Sequence, residues 1–540
     1  MTKVTGPYPS ASFAFPKRAP TFVRHMSDSL YQLQTALDRI RRNMQATEQK
    51  WAKALDRVHE SQRASAVNLL HYLTLRCEDL RDLQDDLHNA GLSSLASSES
   101  HALRQVQAVL QRLGAPIPEE EVTDCDYITA SRLLNQRTLT LFGPKVNPHI
   151  PHLMVTLDTG SADDYASVKA LVLAGMNLAR INCAHDGPDE WHRMVTNVQK
   201  ASRATGHPCR IYLDLAGPKI RTTLLGKGWN KGRLKLREKE CFLLSENRTN
   251  IDRKQKIIGC TLPGVVKDLR KGDRVLFDDG LFEAIVKKTD GVTAELCLMR
   301  ASAVKPRLKP EKGINFPDTE LSVKCLTEFD KSVLPFARKY ADLVGFSFVR
   351  QPEEVAELQE LLRSDTSRMP PLVLKIETFE AVQNLPALML QGMTEPAFGI
   401  MIARGDLAVE IGFERLSEIQ EEILWICEAA HVPVIWATQV LESLNKSGIA
   451  TRSEVTDAAR AAHAECVMLN KGKHLLAVLA TLRDILHRSG GHHLKKRYVF
   501  RPLNIAERFL QMSTPASPEM MPGLNSNGSR RRSPRKTGTP

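Results

Sequence analysis

Leu30, Leu33, Leu37, Ile40 and Met44 recur at alternating steps of three and four, the spacing that lines one face of an α-helix. Apolar positions continue through Trp51, Leu55 and Val58. A second dense segment covers residues 68–76 and is followed by Leu80, Leu83 and Leu87, after which Gly91 breaks the pattern. A third helix is predicted from about Ser98 to Leu113. Residues 27–144 therefore read as a helical N-terminal domain or oligomerisation arm with little catalytic content.

From about residue 150 the texture changes. Short apolar runs (153–157, 178–182, 209–215, 343–348, 372–377, 399–406, 433–438 and 466–470) alternate with amphipathic helical patterns such as 352–363, 414–430, 453–463 and 475–487. Strand–helix alternation predicts a parallel α/β sheet, and eight strands suit a closed (β/α)8 TIM barrel. Residues 226–314 interrupt the alternation with short strand-like pieces at 241–244, 274–277, 281–286 and 294–298, punctuated by Asp278-Asp279-Gly280 and Asp290-Gly291. They predict a small all-β domain inserted between the third and fourth strands. The barrel is then 145–225 plus 315–488, about the size of one such domain. Residues 1–26, interrupted by prolines, read as a disordered extension with Met26 as a possible start. Residues 489–540 read as a basic disordered tail.

Composition narrows the class. Hydrophobic residues make up 42% and charged residues 25%, the balance of a globular protein, and no apolar run is long enough to span a membrane. The net charge of +12 raises nucleic acid as a partner, but Lys495-Lys496-Arg497, Arg530–Arg532, Arg535 and Lys536 concentrate it in the tail. The expectation is a solvated tail, with no nucleic acid and no membrane partner. Ten scattered cysteines with no C-x-x-C pair indicate neither a zinc site nor a disulfide framework, and suit a cytoplasmic location.

Chemistry enters at the strand ends, which form the active face of such a barrel. They read Arg180-Ile181-Asn182, Asp214, Lys375-Ile376-Glu377, Arg404-Gly405-Asp406 and Thr438-Gln439. Glu377 and Asp406 can hold a hard divalent cation, and Lys375 and Arg180 can neutralise a transferring phosphoryl group. The plainer alternative is a pair of buried structural ion pairs.

These strand ends and their flanks, over about 154–486, resemble pyruvate kinase. The residues that carry the resemblance are 174–182 (AGMNLARIN), 213–222 (LDLAGPKIRT), 273–280 (DRVLFDDG), 312–317 (KGINFP), 326–330 (LTEFD), 347–350 (SFVR), 375–377 (KIE), 403–407 (ARGDL), 437–443 (ATQVLES) and 451–457 (TRSEVTD). The resemblance implies phosphoryl transfer from phosphoenolpyruvate to ADP, giving pyruvate and ATP in glycolysis. It implies Mg²⁺ or Mn²⁺ on Glu377 and Asp406, and Lys375 at the transferring phosphoryl. Arg180, Arg221, Lys312, Gly405 and Asp406 would meet substrate or nucleotide, and Thr438 the carbon that is protonated. It further implies a lid function for 226–314 and a homo-oligomer.

Three departures qualify it. The family's monovalent-cation site would use Asn182, Asp214 and the carbonyl of Leu215, but its serine position is Ala184 and the following loop carries Lys219 where the family usually has Glu. An ammonium there could stand in for K⁺, so activity without K⁺ is expected. After the eighth strand the family's Ser-Gly-Glu-Thr is replaced by Asn470-Lys471-Gly472-Lys473, which bears on proton delivery. The family's C-terminal regulatory domain is expected to have no counterpart after Leu486. The readings are a short divergent pyruvate kinase, a pseudoenzyme that binds phosphoenolpyruvate or nucleotide, or a Mg²⁺-dependent aldolase or lyase acting on pyruvate enolate.

Overall fold

The computed structural model describes residues 21–249, 252–302, 307–363 and 369–490, with a further two-stranded backbone pairing of His493–Leu494 and Arg497–Tyr498. Residues 1–20 and most of the basic tail, including Lys495, Lys496 and Arg530–Arg532, lie outside the described residues.

Five main helices precede the barrel: α1 (Thr21–Lys50), α2 (Arg63–Leu75), α3 (Arg81–Asn89), α4 (Ala102–Arg112) and α5 (Tyr127–Phe142). The predicted stripe on α1 is its inner face: Leu33, Leu37, Ile40 and Met44 are buried, while Leu30 is at the margin. The helix begins at Thr21, inside the stretch expected to be a disordered extension, so Met26 falls within a helix. Helix α5 is not anticipated by the sequence pattern. Asp126 caps it, its side chain accepting from Thr129 N at 2.8 Å.

Eight parallel strands close the barrel: β1 (His152–Thr156), β2 (Leu178–Asn182), β3 (Arg210–Asp214), β4 (Leu343–Phe346), β5 (Leu372–Ile376), β6 (Phe398–Ala403), β7 (Val434–Ala437) and β8 (Cys466–Leu469), each beside its chain neighbour and β8 beside β1. Alternate side chains fill the lumen as one cluster that includes Met154, Tyr212, Val373, Met401 and Met468. Leu141 and Phe142, from the end of α5, belong to the same cluster and floor the barrel. Arg210 locks that floor by donating to the carbonyls of Thr140 (2.5 Å) and Leu141 (2.7 Å), which a helix end leaves unsatisfied.

The helical domain is built onto the barrel. Asn68 donates to Ala429 O (2.7 Å) and Glu99 O (2.8 Å), and Arg137 donates to the carbonyls of Ala430 and His431 (both 3.1 Å). Its apolar residues and the barrel's outer layer form one cluster, from Leu33 to Leu486.

Between β3 and β4 stands a seven-stranded sheet with its own core, including Phe242, Phe277, Phe282 and Leu296. The sheet takes in Thr222–Leu224 and Ile314–Asn315, so it starts a few residues earlier and ends a residue later than 226–314. No helix of the described residues is long and apolar enough to cross a membrane.

Candidate active site

The strand ends converge as the sequence predicts. A cavity of about 550 Å³ at the C-terminal mouth is lined by Arg180, Asn182, Asp214, Leu215, Lys219, Arg221, Lys375, Glu377, Asp406 and Thr438. Two expected residues do not line it. Lys312, on the return from the inserted domain, pairs with Asp278 at 2.8 Å, and Gly405 lies behind Thr438. A side chain at 405 would come 3.1 Å from Thr438 Oγ1, so glycine lets the two strand ends approach.

Asp214 organises one half of the site. Its Oδ2 accepts from Arg180 Nε (2.8 Å) and Nη2 (2.6 Å), and Arg180 Nη1 donates to Thr156 Oγ1 at 2.9 Å. Lys375 Nζ stands 3.3 Å from Asp214 Oδ1 and 3.2 Å from Glu377 Oε1, and donates to Ser347 Oγ at 2.6 Å. Burial alone would lower the Lys375 pKa, but Asp214 and Glu377 outweigh it and the net shift is upward, so the ammonium is retained. Ser347 in turn donates to Leu215 O at 2.7 Å, tying β4 to the loop after β3. That loop turns at Gly217, whose φ of +65° and approach to Ser347 exclude a side chain, and Asp330 accepts from Gly217 N at 3.2 Å.

Glu377 and Asp406 occupy the other half. Glu377 is 3% exposed and accepts from Phe348 N at 2.6 Å. Burial, with Asp406 nearby, pushes its carboxyl above the usual range despite Lys375. Asp406 sits in the first turn of the helix Arg404–Ile411, not on the strand itself. Both its oxygens accept from Lys219 Nζ, at 2.7 and 2.9 Å. The expected position of Lys219 at the Asn182–Asp214 site is therefore corrected: Lys219 lines the cavity, but its ammonium goes to Asp406, and Asp214 is paired with Arg180 and Lys375.

The donor set fits a divalent cation of the Mg²⁺ type. Two carboxylates from adjacent strand ends face one cavity, and one of them is a desolvated group beside a second carboxylate, a repulsion that a dication relieves. No cluster of three or more Asp, Glu, His or Cys suited to a metal occurs among the described residues, so the remaining ligands would come from substrate and water. Arg180, Lys219, Arg221 and Lys375 balance Asp186, Asp214, Glu377 and Asp406 along the lining. An added dication would tip it positive, as a multiply anionic ligand requires.

Sequence reasoning gave no role to two contributors, Ser347 and Arg404. Ser347 directly follows β4 and holds Lys375, a role that its place beside a strand end signals. Arg404 is buried against the Trp436 ring, pairs with Asp457 and donates to the carbonyls of Ala437 (3.0 Å) and Thr438 (2.5 Å), so it fixes the backbone on which Thr438 stands. Thr438 Oγ1 itself is buried without a hydrogen-bond partner on the cavity wall. Past β8, Asn470 donates to Glu442 at 3.1 Å, and Lys471 and Lys473 are exposed.

Comparison with known proteins bears on the barrel that carries these residues. The family model described as pyruvate kinase, barrel domain, matches residues 141–473. The pyruvate kinase of Geobacillus stearothermophilus is 32% identical over 326 residues, 59% of this chain and 53% of that protein. That of Thermotoga maritima is 31% identical over 330 residues, 60% of this chain and 67% of that protein. The chain thus spans about half the length of several curated relatives that it matches. Among solved structures, a pyruvate kinase from Cryptosporidium parvum shares the fold, with a TM-score of 0.57 and 24% identity over 65% of this chain and 72% of that one. Because the family model covers more than half of the chain, the chain belongs to the pyruvate kinase family.

Proposed function

We propose that the chain catalyses phosphoryl transfer from phosphoenolpyruvate to ADP followed by protonation of the enolate, giving pyruvate and ATP. The observation that carries the reading is Lys375, a retained ammonium almost wholly buried between Asp214, Glu377 and Ser347 on a cavity that also presents Asp406. Mg²⁺ or Mn²⁺, held by Glu377 and Asp406, would supply charge neutralisation at the phosphoryl oxygens. Lys375 offers positive charge where negative charge gathers in the transition state, and its neighbours fix its position so that little reorganisation is needed. Arg180, oriented by Asp214 and Thr156, orients the substrate phosphate. Arg221 and Lys312, at the junction with the inserted domain, meet the nucleotide phosphates, and the amide end of the helix that holds Gly405 favours an anionic group. The unpartnered hydroxyl of Thr438 stands ready for the carbon that takes the proton. Residues 226–314 act as the lid that keeps water from the phosphoryl group.

The same reading has turnover independent of K⁺. Asp214 already has Arg180 and Lys375 as partners, so the Asn182, Asp214 and Leu215 oxygens have little charge left for a monovalent cation to balance. Rates in sodium-free tetramethylammonium buffer and in potassium buffer should agree, and a large stimulation by K⁺ would refute this part. The reading also includes self-association, which sedimentation would detect.

The main test supplies purified protein with phosphoenolpyruvate, ADP and Mg²⁺ and measures pyruvate and ATP together, beside a Lys375→Met control. Equal amounts of both products from the wild type alone are expected. Product from both proteins alike would point to a contaminant, and none from either would leave a protein that binds without turning over.

A further inference from the structure

Cys241 and Cys297 lie far apart in the chain, yet the inserted domain brings them face to face. They are directly opposed in the antiparallel pairing of strands Cys241–Ser245 and Thr293–Ala301. Hydrogen bonds from Glu246 N to Val292 O (3.1 Å) and from Leu298 N to Glu240 O (2.9 Å) flank the ladder. Counting in twos from either bond puts the cysteines at a non-hydrogen-bonded position, where opposed Cα atoms stand about 4.5 Å apart and side chains are closest. Disulfides span Cα separations of about 4.4–6.8 Å.

The pair is also accessible. Phe242 and Leu296 point into the inserted domain's core, so Cys241 and Cys297 share the opposite face; Cys241 is exposed and Cys297 half-buried. Both are free thiols, and no other two cysteines are opposed in the described strand pairings. Burial and the neighbouring Cys297 thiol hold the Cys241 pKa above its ordinary value, so Cys241 rests as a protonated thiol at neutral pH.

We propose that Cys241 and Cys297 form a reversible dithiol–disulfide couple on the outer face of the inserted domain, closed by exchange with a low-molecular-weight disulfide. The Cys241 sulfur, losing its proton, attacks one sulfur of the small disulfide, and the first small thiol leaves with a proton. The Cys297 sulfur, losing its proton, then attacks Cys241, forming the cross-strand bond and releasing the second small thiol. Two protein thiols are oxidised and one disulfide is reduced to two thiols.

The test uses the full chain with glutathione disulfide as the probe, followed by peptide mapping without reductant. A peptide linking Cys241 to Cys297 is expected, reversed by dithiothreitol. It should exceed the glutathione adduct on Cys241 by about tenfold or more, because the second attack is intramolecular. In Cys297→Ser the adduct on Cys241 should accumulate instead, and in Cys241→Ser the link should vanish. Cys77 is exposed and its adduct reports that the oxidant has acted. An adduct on Cys77 with no Cys241–Cys297 link in the wild type would overturn the proposal.

Discussion

Lys375 and Glu377, at the end of β5, are buried and hold one another in place, whereas Lys471 and Lys473, just past the end of β8, stand in solvent. Both regions border the barrel mouth, and both carry lysine. On the first side each charge has partners whose positions are themselves fixed: Asp214 by Arg180, Glu377 by the amide of Phe348, Asp406 by Lys219. On the second, Asn470 is fastened to Glu442 and Asn445, and the lysines beyond it are held by no ion pair among the described residues. Charge alone does not make a site; charge that is desolvated and positioned does.

Substituting one residue at a time should expose the difference. Lys375→Met removes the cation shared by Asp214 and Glu377. We expect turnover to fall by about 10³-fold or more, and stability to fall by about 3–5 kcal/mol because buried carboxylates lose a partner. The product assay and denaturant unfolding check the two effects, and a variant of normal stability and activity would erase the distinction drawn here.

Glu410, one turn beyond Asp406, sharpens the comparison, because it is half-buried with only an amide for a partner, Asn315 Nδ2 at 2.8 Å. Burial pushes its pKa up to about 7. A carboxyl raised above its unfolded value of about 4.5 contributes stability that is complete below that pH and is lost as pH rises through about 7. The Glu410→Gln variant should therefore gain on the wild type between these limits, by about 3 kcal/mol at most. Melting temperatures of the two proteins across that range test it, and parallel curves would show that the burial is not costly.

The smallest effect is expected on the other side. Lys471→Ala and Lys473→Ala should each leave stability unchanged within about 0.5 kcal/mol and turnover within about threefold, as for solvated surface charges. A tenfold loss in either would mean that the loop after β8 reaches the substrate.

The two regions also differ in how far the sequence reveals them. The apolar runs place all eight strands, and β2 coincides residue for residue with its run, because parallel barrel strands are buried on both faces. The run 399–406 overshoots: β6 ends at Ala403 and a helix starts at Arg404 with no intervening loop, a boundary that hydrophobicity does not mark. Helix α5 escapes notice because its buried residues serve two surfaces, the barrel floor and the helical domain, and so trace no single stripe. Residue types at strand ends nominate Lys375, Glu377 and Asp406. The choice of Asp406 as partner of Lys219, and the meeting of Cys241 with Cys297, depend on tertiary register between distant segments, which no local pattern encodes.

The claim on which the rest depends is that Glu377 and Asp406 together hold the divalent cation. Mn²⁺ binding in the presence of phosphoenolpyruvate, followed by loss of the free-ion electron paramagnetic resonance signal, tests it in wild type and Glu377→Gln. The wild type should bind one Mn²⁺, and the variant should bind it more weakly by about tenfold or more. Equal affinity in the two proteins, or no binding by the wild type, would contradict it.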